Sequence, residues 1–440
     1  MRKLPRLRTN LLTRRRFPQA GLARRAILGL LAILALPLPL PARPEPAQAP
    51  RWAASWAAAP LDYVPAPLFP GLPALPARPQ RFEGQSLRQL MVSPLGGERV
   101  RVRFSNLFGR RPLRLLEASV GLAADAGAVA PATLQRLRFG GRNGVTIAPG
   151  REAWSDAAAL AIPPGRTVAV SYQVEAGTPF GTVHPLGATV MTPDAAVMRA
   201  AWPAATPSPV AHIVTGLDVA VQATPRVVVA FGDSITQGTG NGEVAPASYP
   251  DRLAQRLREQ TLVRGGFAVI NAGIGGNRLL VDGSGPRGLD RFRRDALGQS
   301  GVTHVLILIG INDLGVSLPA AMQGLSPAFR PASSEQLAAG LQQLIAQARE
   351  RGVKVLLGTI TPFKGAGYWS EEKELRRQAL NRWIRGRQDV DAVVDFDRAL
   401  RDAADPAALD PRYDSGDHLH PGPAGYAAMG DAVDLRELSE

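Results

Sequence analysis

The sequence predicts an α/β fold, a doubly wound parallel sheet over residues 226–440, preceded by an all-β sandwich or jelly roll over residues 50–222. Three observations carry this. After residue 226, short all-apolar runs alternate with stretches of helical periodicity, which is the pattern of strand–helix–strand units with right-handed crossovers. Before residue 222, apolar and polar residues alternate with period two, as half-buried antiparallel strands do. Gly- and Pro-rich turn signals sit between those period-two runs, and short strands at that spacing suggest a sandwich or jelly roll.

Residues 1–49 read as an address, not as part of the fold. A basic region ends in Thr13-Arg14-Arg15-Arg16-Phe17, an apolar run follows from Ala26 to Leu36, and Ala47-Gln48-Ala49 closes the segment as an A-x-A-like cleavage site. The apolar run is too short to span a bilayer comfortably. The paired arginines before Phe17 resemble a twin-arginine export signal. The expectation is an exported protein, periplasmic or extracellular, without stable membrane insertion of the mature chain.

In residues 50–222, Arg99-Val100-Arg101-Val102-Arg103-Phe104 and Thr167-Val168-Ala169-Val170-Ser171-Tyr172 put apolar side chains on one face. The three arginines then form a solvated face. Pro94-Leu95-Gly96-Gly97 and Pro163-Pro164-Gly165 are turns, and Pro65 to Pro79 is a loop. Trp52, Trp56 and Trp154 are expected in core packing rather than on a sugar-binding face, and His184 is read as structural.

From residue 226 the strands are 226–231, 267–270, 303–309, 353–358 and 392–396. Helices are expected at about 249–259, 334–351 and 371–387, and a last one opened by Pro421. His304 falls within a strand and is read as a core or edge histidine.

Four chain segments at strand ends carry the residue types that acyl transfer needs. They are Gly232-Asp233-Ser234, Asn271-Ala272-Gly273-Ile274-Gly275-Gly276-Asn277, Gly310-Ile311-Asn312-Asp313 and Asp417-His418-Leu419-His420. In a parallel sheet these ends share one edge, where α/β folds hold their ligands. A serine hydroxyl needs a base, and the base needs a carboxylate to hold its tautomer. Ser234, His420 and Asp417 supply these. A tetrahedral intermediate needs donors at its oxyanion. The Ser234 and Gly276 N–H groups and the Asn312 amide supply those, with Gly275 an alternative to Gly276. Asp233 and Asp313 are expected to fix the turns around Ser234 and Asn312 through local hydrogen bonds. His418 is the second imidazole of the last segment and is expected to be exposed.

These four segments, in this order, resemble the SGNH (GDSL-type) hydrolase superfamily. The stretch from Gly285 to Asp295 and the opening from Trp52 to Ala59 resemble its exported esterases with an N-terminal β domain. The resemblance implies a flavodoxin-like sheet and an ester hydrolase, with Ser234 the nucleophile, Asp417 and His420 its partners, and Gly276 and Asn312 completing the oxyanion hole with Ser234. It implies no cofactor and no metal, and a small-molecule or polysaccharide ester as substrate. A carbohydrate O-acetyl esterase and a lysophospholipase are further activities within the superfamily. The alternative from another class is a non-catalytic carbohydrate- or surface-binding protein.

Other chemistries are excluded by what the chain lacks. There is no cysteine, so disulfides, thiolate catalysis and cysteine-ligated metals are out. No G-x-S-x-G surrounds Ser234 and no G-x-x-x-x-G-K-[ST] occurs there. The net charge of +14 is concentrated in residues 1–49, which hold ten basic residues and one acid. The remainder is too nearly neutral to argue for nucleic acid.

Overall fold

The computed structural model describes residues 50–63, 81–208, 210–241, 248–260, 263, 265–315 and 330–439. Residues 1–49, expected to be an export signal, and the expected loop from Pro65 to Pro79 therefore lie outside the described residues.

The second half forms a five-stranded parallel sheet. Its order across the sheet is Phe267–Gly273, Arg226–Gly232, Val302–Leu308, Lys354–Gly358 and Ala392–Val394. The first strand in sequence thus lies inside the sheet, next to the edge that its chain neighbour forms, so the order reverses beside Arg226–Gly232. That reversal is the switch point at which open α/β sheets form their crevice. Val227 to Phe231 are fully buried, which is why this strand reads as an unbroken apolar run.

Helices cover the sheet in two groups. Tyr249–Arg258 packs with Pro423–Asp431, and Ser334–Glu350 packs with Glu371–Arg385. Their starts are encoded locally. Ser248 with Asp251, and Ser333 with Gln336, form reciprocal capping boxes. The helix expected at Pro421 begins at Pro423 behind Gly422, and a short further helix, Arg436–Ser439, follows it. Either proline suits a first turn, and the Gly422 N–H is already committed to Tyr413 O at 2.7 Å.

The first half is rich in antiparallel strands. One sheet joins Arg51–Ala57, Val214–Val221, Val100–Asn106 and Arg151–Trp154. A larger one is built around Ser86–Ser93, Arg166–Val174 and Leu113–Leu122. A small third sheet pairs Thr182–His184 with Ala211–His212 and Leu61–Asp62.

The two halves share one continuous hydrophobic cluster. Strand Arg51–Ala57 runs against the edge strand Phe267–Gly273, and Ala54 N donates to Ser300 O at 2.8 Å. An otherwise open sheet edge is covered in this way.

Of the three arginines that the alternation put on a solvated face, Arg99 is exposed, but Arg101 and Arg103 pack against protein. Arg101 is gripped by Asp218 at 2.7 Å and reaches Ser300, and its guanidinium lies between the rings of Trp52 and Trp154. Arg103 is buried and donates to Thr215. A period-two pattern assigns polar residues to one face, but it cannot tell water from the neighbouring half of the molecule. Trp52 and Trp154 accordingly are half-buried cation partners, not core. His184 is buried and packs edge-on against Trp56, and His304 is buried beside Thr303 Oγ1 at 2.8 Å.

Candidate active site

Strand Arg226–Gly232 ends where only glycine fits. A Cβ on Gly232 would overlap Thr236 Oγ1 and Leu308 O. The chain turns there into a short helix, Ser234–Gln237, capped by Asp233, whose carboxylate accepts from Ile235 N at 3.1 Å. Asp233 thus fixes its turn as expected. Ser234 emerges at the sheet edge, 7% exposed.

His420 arrives from the segment before helix Pro423–Asp431. Its Nε2 lies 2.8 Å from Ser234 Oγ, and its Nδ1 lies 2.6 Å from Asp417 Oδ2. The other oxygen of Asp417 accepts from the backbone N–H of Leu419 and His420 and from Ser415 Oγ, at 3.0, 2.8 and 3.1 Å. Partial burial works to raise the Asp417 carboxyl, but the bonds from the His420 ring and from both backbone N–H groups outweigh it and hold it at about 2. Asp417 is an anion at any working pH. Carboxylate to Nδ1 is the arrangement that leaves Nε2 as the proton acceptor. Three residues 186 positions apart at the extremes are brought into one chain of hydrogen bonds.

The oxyanion candidates sit around the same serine. Gly275 N donates to Gln237 Oε1 at 2.6 Å, so it is spent. The Gly276 N–H has no protein acceptor among the described residues, nor has that of Ser234. This separates the two glycines that the sequence left open. Gly276 has φ +69°, and a Cβ there would come within 2.6 Å of Ser284 Oγ. The Asn312 amide is buried and donates one N–H to Asn277 O at 3.0 Å, and its second N–H has no acceptor among the described residues.

Asp313 departs from its expected local role. Its carboxylate reaches across to accept from Leu279 N and Leu280 N, at 2.7 and 3.0 Å. It ties the loop after Phe267–Gly273 to the segment after Val302–Leu308. Burial raises both neighbouring acids, Asp233 to about 7 and Asp313 to about 6.

Sequence reasoning passed over Arg291 as a site residue. It is fully buried in helix Gly288–Asp295 and donates to Gly232 O at 2.6 Å, Ala272 O at 2.8 Å and Asn277 Oδ1 at 2.9 Å, with its guanidinium stacked on Phe231. One side chain joins the ends of two strands to the loop that carries Gly276. Burial lowers its pKa to about 10, still well above neutrality. The only signal in the sequence was its place in the Gly285 to Asp295 stretch. Gln237 was missed for a plainer reason, since a glutamine one turn after a serine has no signature.

Among the described residues there is no group of three or more His, Asp or Glu side chains placed to hold a metal ion, and no helix long and apolar enough to cross a membrane. Residues 316–329, which follow the short helix Ile311–Gly315, lie outside the described residues.

A profile of the GDSL-like Lipase/Acylhydrolase family matches residues 230–428. No curated protein matches the chain. Among solved structures, the chain is similar to an acetylxylan esterase from Geobacillus stearothermophilus, at 21% identity and a TM-score of 0.36, covering 48% of this chain and 94% of that one. It is similar to the M. smegmatis aryl esterase, at 20% identity and 0.37, covering 48% and 99%. It is also similar to a GDSL-like lipase from Bacteroides thetaiotaomicron, at 19% identity and 0.34, covering 48% and 87%.

Proposed function

Residues 230–428 belong to the GDSL-like lipase/acylhydrolase family, which makes the chain a carboxylic ester hydrolase, and from that premise we propose that it works through an acyl-enzyme on Ser234. His420 Nε2 takes the hydroxyl proton as Ser234 Oγ attacks the ester carbonyl. Asp417 holds the ring and stabilises the imidazolium that forms. The negative charge on the carbonyl oxygen falls among the N–H groups of Ser234 and Gly276 and the free amide N–H of Asn312. His420 then returns the proton to the leaving alcohol. A water activated by the same imidazole releases the acid and restores Ser234.

The observation that carries this reading is the unbroken hydrogen-bonded series from Ser234 Oγ through His420 to Asp417, at 2.8 and 2.6 Å. The three uncommitted N–H groups beside it support the oxyanion assignment. A fluorophosphonate probe tests it. Covalent labelling at Ser234, lost in Ser234→Ala together with p-nitrophenyl ester turnover, is the expected result. Retained turnover in Ser234→Ala would sink the assignment.

The proposal includes export of the mature chain past Ala49 by the twin-arginine route, so that its esters are met outside the cytoplasm. Arg14→Lys with Arg15→Lys should trap the precursor inside the cell. The strand-rich first half, read as a β-sandwich, serves there as a wall fixed to the catalytic half, because the packing of Arg101 between Trp52 and Trp154 joins it to Ser300.

A further inference from the structure

We propose that His418 is a second substrate-facing imidazole, set by Asp414 to accept a hydrogen bond from a free hydroxyl on the alcohol half of the ester. The inference rests on the Ser234 reading above and names the kind of alcohol that site prefers.

The segment from Asp414 to His420 holds two carboxylate–imidazole pairs in tandem. His420 spends its Nε2 on Ser234. His418 donates its Nδ1 hydrogen to Asp414 Oδ2 at 2.6 Å, and its ring remains 55% exposed. Asp414 is itself largely buried, and it also accepts from Gly416 N at 2.8 Å and His418 N at 3.0 Å. Its grip fixes both the backbone and the ring of His418. A carboxylate on Nδ1 places the ring's lone pair on Nε2. That nitrogen has no protein partner among the described residues.

His418 is also the one non-glycine residue with positive φ among the described residues, at +61°. L side chains rarely adopt this conformation, and such outliers gather at ligand clamps and active sites. Closing the segment does not require an exposed imidazole. Ser415 N to His420 O at 3.0 Å and Gly422 N to Tyr413 O at 2.7 Å already close it.

The ring lies on Gly365, where an added Cβ would approach it to 2.9 Å. Gly365 follows strand Lys354–Gly358, so it belongs to the same sheet edge as Ser234 and Asn312. His418 therefore packs on that segment and lies two residues before the base that reaches the serine. A neutral imidazole nitrogen with a fixed lone pair recognises an O–H donor. A polyol or sugar acylated at one position presents such hydroxyls beside the ester. Its fully acylated counterpart and an aryl ester do not.

The test is a ratio. The kcat/KM of a mono-O-acetyl methyl glycoside is divided by that of the same glycoside fully acetylated, for the wild type, His418→Asn and His418→Gly. Asparagine tolerates the left-handed conformation and glycine adopts it freely, so neither strains the segment. Loss of one hydrogen bond should lower the ratio about fivefold to tenfold in both variants. An unchanged ratio would overturn the proposal, including the case of equal losses on both glycosides, which would make His418 a structural staple. A wild type that turns over p-nitrophenyl acetate but neither glycoside would overturn it too. Failure of fluorophosphonate labelling in the wild type would instead strike the Ser234 reading.

Discussion

The side-chain amide of Asn312 donates to the backbone carbonyl of Asn277 at 3.0 Å, one residue beyond Gly276. A donor on one strand end is thereby referenced to the loop that carries another. Asn312 arrives already oriented, with one N–H spent on aiming the other. Under the proposed mechanism, Asn312→Ala removes an oxyanion donor that meets charge only in the transition state. We expect kcat on p-nitrophenyl acetate to fall by about 10²–10³-fold, with KM changed far less. A change confined to KM would place Asn312 in substrate binding.

Gly276 faces Ser284 closely enough that alanine there would force the serine aside. Its φ of +69° adds backbone strain that no neighbour can relieve. Under the same proposed mechanism, Gly276→Ala should lower kcat by turning the N–H away from the oxyanion. Adding Ser284→Gly removes the steric part alone and should recover a fraction of the loss. Full recovery would show that the backbone conformation is unimportant; steady-state kinetics on the single and double variants decides it.

How far the sequence reaches follows from the range of each interaction. The apolar run 227–231, the capping residues Ser248 and Ser333 and the glycine at 232 are local signals, so the strands and helices that present the site were legible. The approach of Asp417, His420 and Ser234 was legible because residue chemistry and strand-end position agree. What was not legible acts across long distances through side chains whose types are unremarkable. Gln237 decides between Gly275 and Gly276 by occupying one of them. Asp313 was assigned a local turn because aspartates often cap, yet the N–H groups it accepts from lie more than 30 positions away. Arg101 read as solvated because alternation carries no information about what lies against a sheet face.

Arg291 is the largest stability prediction. Its donors satisfy Gly232 O, Ala272 O and Asn277 Oδ1 where no water reaches, and Asp295 lies 3.4 Å away, also buried. Arg291→Met preserves much of the volume but takes the guanidinium away from these acceptors and leaves the buried Asp295 carboxylate to Arg294 alone, at 2.6 Å. Breaking such a set costs about 3–5 kcal/mol. Denaturant unfolding should show that loss. A loss below about 1 kcal/mol would mean that the strand ends hold themselves in place.

Asp233 should make the fold lose stability as pH rises through neutrality. Burial raises its carboxyl to about 7 from an ordinary 3.8, with the Asp313 charge pushing the same way and the Ile235 N–H and Arg291 opposing. Between those two values the folded chain holds a proton that the unfolded chain has released. Unfolding therefore releases a proton, and stability falls with pH across that window. The contribution is complete below about pH 4, and is lost as pH climbs through about 7. One proton corresponds to a slope of about 1.4 kcal/mol per pH unit at most. Asp233→Asn keeps an oxygen to accept from Ile235 N and removes the titration. Its melting temperature should decline less between pH 5 and pH 8 than that of the wild type. Asp313 stays in both proteins and, raised to about 6, contributes a residual slope of the same sign. Parallel melting curves for the two proteins across this range would show that Asp233 is already ionised in the folded state, and that Arg291 outweighs burial.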